Sequence, residues 1–288
     1  MRLRTTSTQR TYRYVRLSLI GAVLLVGVSF AAVAAIDGAP TSLSAAFYTP
    51  GRDVFVGAIF AVSLALLALS GRSLEQALLD YAAILAPLIA IVPTPLAVGD
   101  VPGLARACPD TAPCVPPEFL PGVAVGVASL VLIGMLGLVA AIVLARVQHT
   151  LTRGFVVAVS GAAALILGIG AWALIDPPGF VRGAHLLAAV TFFGLIAAVA
   201  SLAAFGPSRA RSRGGIRVLY AVVAVGIVVT VTGLLLVIVL TLGGVDVAGA
   251  VGAPLILIGE VLVLALFVVF WIAQTIELWS AADPSLRA

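Results

Sequence analysis

Apolar residues run along this chain in eight blocks near 17–36, 54–69, 77–98, 122–145, 155–175, 184–205, 218–242 and 251–272, separated by short polar or proline-rich gaps. A bilayer core of about 30 Å takes roughly 20 apolar residues as an α-helix. The blocks lack the period-2 alternation of a transmembrane β-barrel, whereas a continuous helix pairs its own backbone groups inside lipid. The pattern predicts an all-α fold, a polytopic transmembrane helical bundle of about eight spans over residues 17–273. A basic tail at 1–16 precedes it and a short tail at 274–288 follows. The second block is short and begins directly after Arg52 and Asp53.

Composition agrees with a lipid-facing surface. Of 288 residues, 62% are hydrophobic and 10% charged, against about 25% charged in a soluble domain. The net charge of +4 raises nucleic acid as a partner, and the placement of the charges argues against it. All sixteen basic residues are Arg. With the N-terminus in the cytoplasm, thirteen of them fall in inside segments, and Arg52, Arg106 and Arg182 fall outside. Short loops rich in Lys and Arg stay on the cytoplasmic side. Both termini are therefore expected in the cytoplasm, in a cell membrane, with membrane lipids as partners. A cleavable leader is the competing reading of the N-terminus, since Ala32-Val33-Ala34 resembles a processing site. The preceding apolar run of about 19 residues exceeds a signal core of roughly 7–15, so the first block reads as a retained span.

Cys108 and Cys114, the only cysteines, lie in the proline-rich outside loop at 99–121. An exported pair is expected to form a disulfide, and no further Cys or His nearby suggests a metal site. The loop at 207–217 holds Arg209, Arg211, Arg213 and Arg217, which fix topology and suit anionic headgroups. Gly122 and Gly126 have the spacing of a close helix contact. The sequence has no phosphate loop, no dinucleotide fingerprint, no HExxH and no GxSxG, and no internal repeat of the kind common in transporters.

The segment at 42–57, with Ser42, Ser44, Phe47, Tyr48 and the run Arg52-Asp53-Val54-Phe55-Val56-Gly57, leads into a span, and the next span ends in Val92-Pro93-Thr94. Further on come His185 with Phe192-Phe193, and a last helix with Glu260, Trp271 and Trp279. These features resemble an uncharacterised group of bacterial multi-span membrane proteins with a Ser-x-Ser stretch before Arg-Asp-Val-Phe-Val-Gly. The resemblance implies a bacterial plasma-membrane protein and no particular reaction. The group has a larger aromatic cluster and six spans, so the fourth and fifth blocks look like an inserted helical pair.

Ionisable residues within a bilayer cost roughly 2.5–3.5 kcal/mol each on insertion scales. Asp53 suits a helix N-terminus, and Arg52 could pair with it. His185 is the natural proton acceptor of the outer half. Glu260 lies nine residues into the last block, roughly 13 Å deep at 1.5 Å per residue, and needs a partner or a wet cavity. Convergence of Asp53, His185 and Glu260 on one outward polar pocket is expected, with Arg52 as charge partner and Ser44 and Tyr48 at its mouth. His149 reads as solvated, and Asp80 as reaching water near the inside end of its span. The function expected first is non-catalytic: a scaffold, sensor or small-ligand or lipid binder, with no cofactor and no metal. A small ligand or a protein partner would occupy the pocket. A proton-coupled transporter using Glu260 is the alternative, and a membrane-embedded lipid hydrolase the second.

Overall fold

A computed structural model describes residues 7–69, 71, 73–104, 113–206, 214–245 and 247–279. Every expected apolar block carries a helix. In chain order these are α1 (Ser7–Asp37), α2 (Arg52–Ala68), α3 (Leu74–Ile91), α4 (Leu120–Val147), α5 (Arg153–Ile175), α6 (Pro177–Phe205), α7 (Gly214–Leu242), a short α8 (Val247–Val251) and α9 (Leu255–Glu277). Short 3-10 helices occupy Ser44–Tyr48 and Pro117–Phe119. Among the described residues there is no strand, only an isolated bridge between Leu96 and Cys114.

The helix ends differ from the apolar limits for identifiable reasons. α1 starts within the polar segment at Ser7, and α9 runs on to Glu277. Ser73 caps α3 by accepting from the Gln76 amide at 3.2 Å, and the Gln76 side chain accepts from the Ser73 amide at 3.0 Å, a reciprocal capping box. α3 stops at Ile91, short of the expected 98, where Pro93 and Pro95 follow and cannot continue a helix. Thr152 and Asp176 cap α5 and α6 through the amides of Phe155 and Gly179. The last block is broken by Gly252, at φ +70°, and by Pro254.

Seven helices, α2 and α8 excepted, are long and apolar enough to cross a membrane. Large apolar side chains on them face outward, among them Val28, Val125, Leu132 and Leu174, the last 84% exposed. α2 has 17 residues, the lower limit for a span, and its packing explains the shortness. A Cβ on Gly51, just before α2, would lie 3.0 Å from Ser29 Oγ and 3.2 Å from Val33 of α1. α2 therefore starts level with the last turns of α1, below its end at Asp37. The chain between them folds back into the bundle, and Leu43, Ala45, Ala46, Phe47 and Tyr48 are all buried. Non-helical backbone at this depth is tolerated where protein or a cavity surrounds it.

The first and last spans meet at one end. Arg13 of α1 donates through Nε to the Trp279 carbonyl at 2.8 Å, and its guanidinium lies 4.4 Å from the Trp279 ring. Two ends on one side fit an even number of crossings, which the seven long helices reach when α2 is counted with them.

Helices α1, α2, α3, α6, α7 and α9 pack in that cyclic order, and α9 closes on α1. The result is a six-helix ring. α4 and α5 form a hairpin outside it, packed against α3 and α6. The Tyr81 hydroxyl of α3 donates to the Ala158 carbonyl of α5 at 3.0 Å. Of the two glycines in the small-residue motif, Gly126 is a contact: a Cβ there would lie 2.5 Å from Ile91, while Gly122 faces open space.

Candidate functional site

The folded-back connection brings Ser44 to the inside of the ring, opposite Glu260 and His185. Glu260 is the sixth residue of α9, about 8 Å along its axis at 1.5 Å per residue. This is shallower than the expected 13 Å, because the break at Gly252–Pro254 delays the start of the helix. Its carboxylate accepts from the Leu43 amide at 2.5 Å, the Ser44 amide at 3.4 Å and Ser44 Oγ at 2.6 Å. It thus receives the first amides of the 3-10 turn, which have no partner within the turn.

His185 enters from the third turn of α6 and is 6% exposed. Its Nδ1 lies 2.7 Å from the Val92 carbonyl and its Nε2 lies 3.1 Å from Ser44 Oγ. A carbonyl only accepts, so Nδ1 carries a hydrogen. The Val92 carbonyl sits just past the end of α3, where the prolines leave the backbone without helical partners. A continuous chain results: Glu260, Ser44, His185, Val92.

Of the six expected pocket residues, Glu260, His185 and Ser44 come together and the other three do not. Asp53 is exposed in the first turn of α2, where an acid complements the helix dipole. Arg52 is not its charge partner within the pocket. Its guanidinium stacks 4.2 Å from the Phe47 ring and 5.3 Å from Phe119. Tyr48 is buried, donates to the Thr94 carbonyl at 2.8 Å and packs edge-on against Phe119. These aromatic contacts turn Arg52 and Tyr48 toward the connection after α3, away from the ring axis. Cys108 lies outside the described residues, as do residues 207–213 of the arginine loop at 207–217, so the expected disulfide and most of the expected lipid contacts fall there. Cys114 exchanges backbone hydrogen bonds with Leu96 at 2.9 and 3.1 Å. His149 is exposed, at φ +52° in the α4–α5 turn.

The polar chain opens onto a cavity of about 630 Å³ inside the ring, within the 300–1,000 Å³ typical of ligand pockets. Its walls are apolar, with Val26, Val62, Phe193, Val231 and Leu264 among them, and Phe267 contributes on the side of the termini. Beyond Phe267, the buried Phe270, Trp271 and Tyr220 fill the ring. At the other end the lining reaches Leu242, which is 77% exposed. Arg182, Asp100 and Thr41 stand in that mouth. Asp100, which sequence reasoning had not singled out, accepts from Thr41 Oγ1 at 2.7 Å and from the Ala97 amide at 2.6 Å. It ties the α1–α2 connection to the segment after α3. Its position after Gly99 in a proline-rich loop signalled a turn and no more.

Ser44 beside His185 has the reach of a nucleophile and its base. The remaining parts of a hydrolase are engaged differently. Glu260 bonds the serine and not the far nitrogen of His185, and the Leu43 and Ser44 amides point at Glu260. Among the described residues no three His, Cys, Asp or Glu side chains are placed to hold a metal ion. Comparison with known protein families, with curated proteins and with solved structures finds no match.

Proposed function

We propose that this protein is a multi-pass membrane protein that binds a small amphiphilic ligand inside its helical ring, the polar group at Ser44, His185 and Glu260 and the apolar part along the cavity. The observation that carries the reading is the coincidence of the two features. A cavity of about 630 Å³ with apolar walls shares its lining with a hydrogen-bonded cluster of three polar side chains. An apolar pocket with a few convergent polar groups is the usual form of a small-molecule site. The thirteen-to-three arginine distribution supports a mouth outside the cell and a sealed end in the cytoplasm. The position of α4 and α5 outside the ring supports their reading as a pair added to a six-span core.

Native mass spectrometry of the full chain released from lipid nanodiscs tests this with octanol, octylamine and octanoate as probes. Ala189, one turn from His185 on α6, lines the cavity, and Ala189→Phe fills space there while leaving Ser44, His185 and Glu260 themselves unchanged. Retention of one equivalent of an octyl probe by the native chain, lost in Ala189→Phe, is the expected result. Equal retention by both, or by neither, refutes the pocket.

A further inference from the structure

The hydrogen bonds along Glu260, Ser44 and His185 fix how many protons the cluster holds. Ser44 Oγ lies 2.6 Å from Glu260 Oε1 and 3.1 Å from His185 Nε2, yet the hydroxyl has one hydrogen. Nδ1–H of His185 is committed to the Val92 carbonyl at 2.7 Å. Without an additional proton, Ser44 can donate to Glu260 or to Nε2, and the other contact sets two lone pairs against each other. With two additional protons, both neighbours donate to Ser44 and its own hydrogen loses its acceptor. One proton completes the chain in either of two ways. Protonated Glu260 donates to Ser44, which donates to Nε2; or protonated His185 donates to Ser44, which donates to the carboxylate.

Removal of that proton therefore leaves a cluster with one negative charge and spare lone pairs on Glu260, Ser44 and His185, all facing an apolar cavity. A carboxylate ligand would add lone pairs to lone pairs. An alcohol brings one donor and no charge. An ammonium group brings three donors and one positive charge, restoring both counts. We propose that the pocket binds amphiphilic amines as ammonium cations, each in exchange for the single proton that Glu260, Ser44 and His185 share. The amine enters as R–NH3+ and the proton leaves to the water of the mouth, so the charge inside the ring is unchanged and no charge is buried without a partner.

Among the described residues, the other elements facing the cluster contribute no further titratable group to the cavity lining except at the mouth. α1, α2, α3 and α7 present apolar side chains and Thr241 there. α6 adds Arg182, and the segment after α3 adds Asp100. These two carry opposite formal charge, and neither is among the hydrogen-bond partners of Glu260 or Ser44.

The proposal rests on the ligand-binding reading, and the test separates the two. Dissociation constants for octylamine, octanol and octanoate are measured on the full chain in nanodiscs at pH 6, 7 and 8, with empty nanodiscs subtracted. Octylamine remains an ammonium across this range, as an ordinary alkylamine does. Release of one proton per amine tightens its binding roughly tenfold per pH unit. Octanol binds roughly ten- to a hundredfold more weakly, the loss expected when a charge-assisted hydrogen bond is not made. Glu260→Gln, which keeps the shape, abolishes the pH slope and the preference for the amine. Octanol or octanoate binding as tightly as octylamine overturns the amine assignment and leaves the cavity reading intact. Absence of binding by all three overturns both. A slope kept in Glu260→Gln and lost in Asp100→Asn places the proton at the mouth and overturns the assignment to the cluster.

Discussion

Replacing Glu260 by Gln and by Ala should have unequal consequences for the folded state. In Glu260→Gln the amide oxygen still accepts from the Leu43 N–H, and the amide NH2 donates to Ser44 Oγ. Ser44 then donates to His185 Nε2, and every contact in the chain is made. This is the arrangement of protonated Glu260 without the acid. The expected change in unfolding free energy is below about 1 kcal/mol, the scale of one neutral hydrogen bond exchanged for another. In Glu260→Ala the Leu43 amide loses its acceptor at 2.5 Å and the Ser44 amide its longer contact at 3.4 Å. Ser44 Oγ can turn to His185, so one buried donor is left orphaned in full. That costs about 1–3 kcal/mol, and the emptied volume adds to it, for an expected loss of about 2–4 kcal/mol. Reversible unfolding in mixed detergent micelles, followed by tryptophan fluorescence, measures both variants. If Glu260→Gln destabilises as much as Glu260→Ala, the carboxylate is required as an unshared charge and the hydrogen-bond count along the chain is wrong.

Cysteines introduced as Arg13→Cys and Trp279→Cys should be joined by a short thiol cross-linker in intact membranes; no cross-link would mean that the first and last spans end on opposite sides. Reporter fusions after residues 75, 110, 150, 180, 212 and 247 should alternate, beginning inside, and two successive sites on one side would remove a span from the bundle. Gly161→Val should displace the Tyr81 hydroxyl, with which a Cβ at that position collides. Its expected cost is about 1–3 kcal/mol of overpacking strain, read by the same unfolding assay, and a neutral result would mean that α5 does not press on α3 there. Ser63→Ala removes a buried bond of 2.7 Å to the Ala83 carbonyl between α2 and α3 and should cost about 0.5–1.5 kcal/mol; no measurable loss would show that water replaces it.

The spans were legible because lipid imposes one simple requirement, a run of apolar residues, on each of them. Their ends were less legible. Nothing in an apolar count says that Pro93 and Pro95 stop α3 early, or that Gly252 and Pro254 delay α9. The ring itself left little trace, since helices wetted by lipid on one side and by apolar neighbours on the other show no strong stripe. In the site, Glu260 and His185 stood out because charged or titratable groups are rare in such a chain. Asp53 and Arg52 stood out equally, and the structure gives them helix-end and aromatic partners instead. The partners that complete the site are mostly main-chain atoms, the Leu43 amide and the Val92 carbonyl. Every residue but proline carries both groups, so no residue type could have announced them.

Closure of α9 on α1 has a consequence for biogenesis. The ring joins α1 to α9, which is delivered to the membrane long after it, and the polar cluster does the same, with Ser44 in the α1–α2 connection and Glu260 in α9. Contacts of such sequence separation form late, because most of the chain must be placed before they can be made. Until α9 arrives, the Leu43 and Ser44 amides lie exposed beside an open groove. When it does arrive, its Glu260 side chain meets waiting donors rather than bare hydrocarbon. The same residues that form the pocket therefore ease the insertion of the helix that completes it. A chain interrupted after α7 would present to the quality-control proteases of the membrane a ring with one side missing.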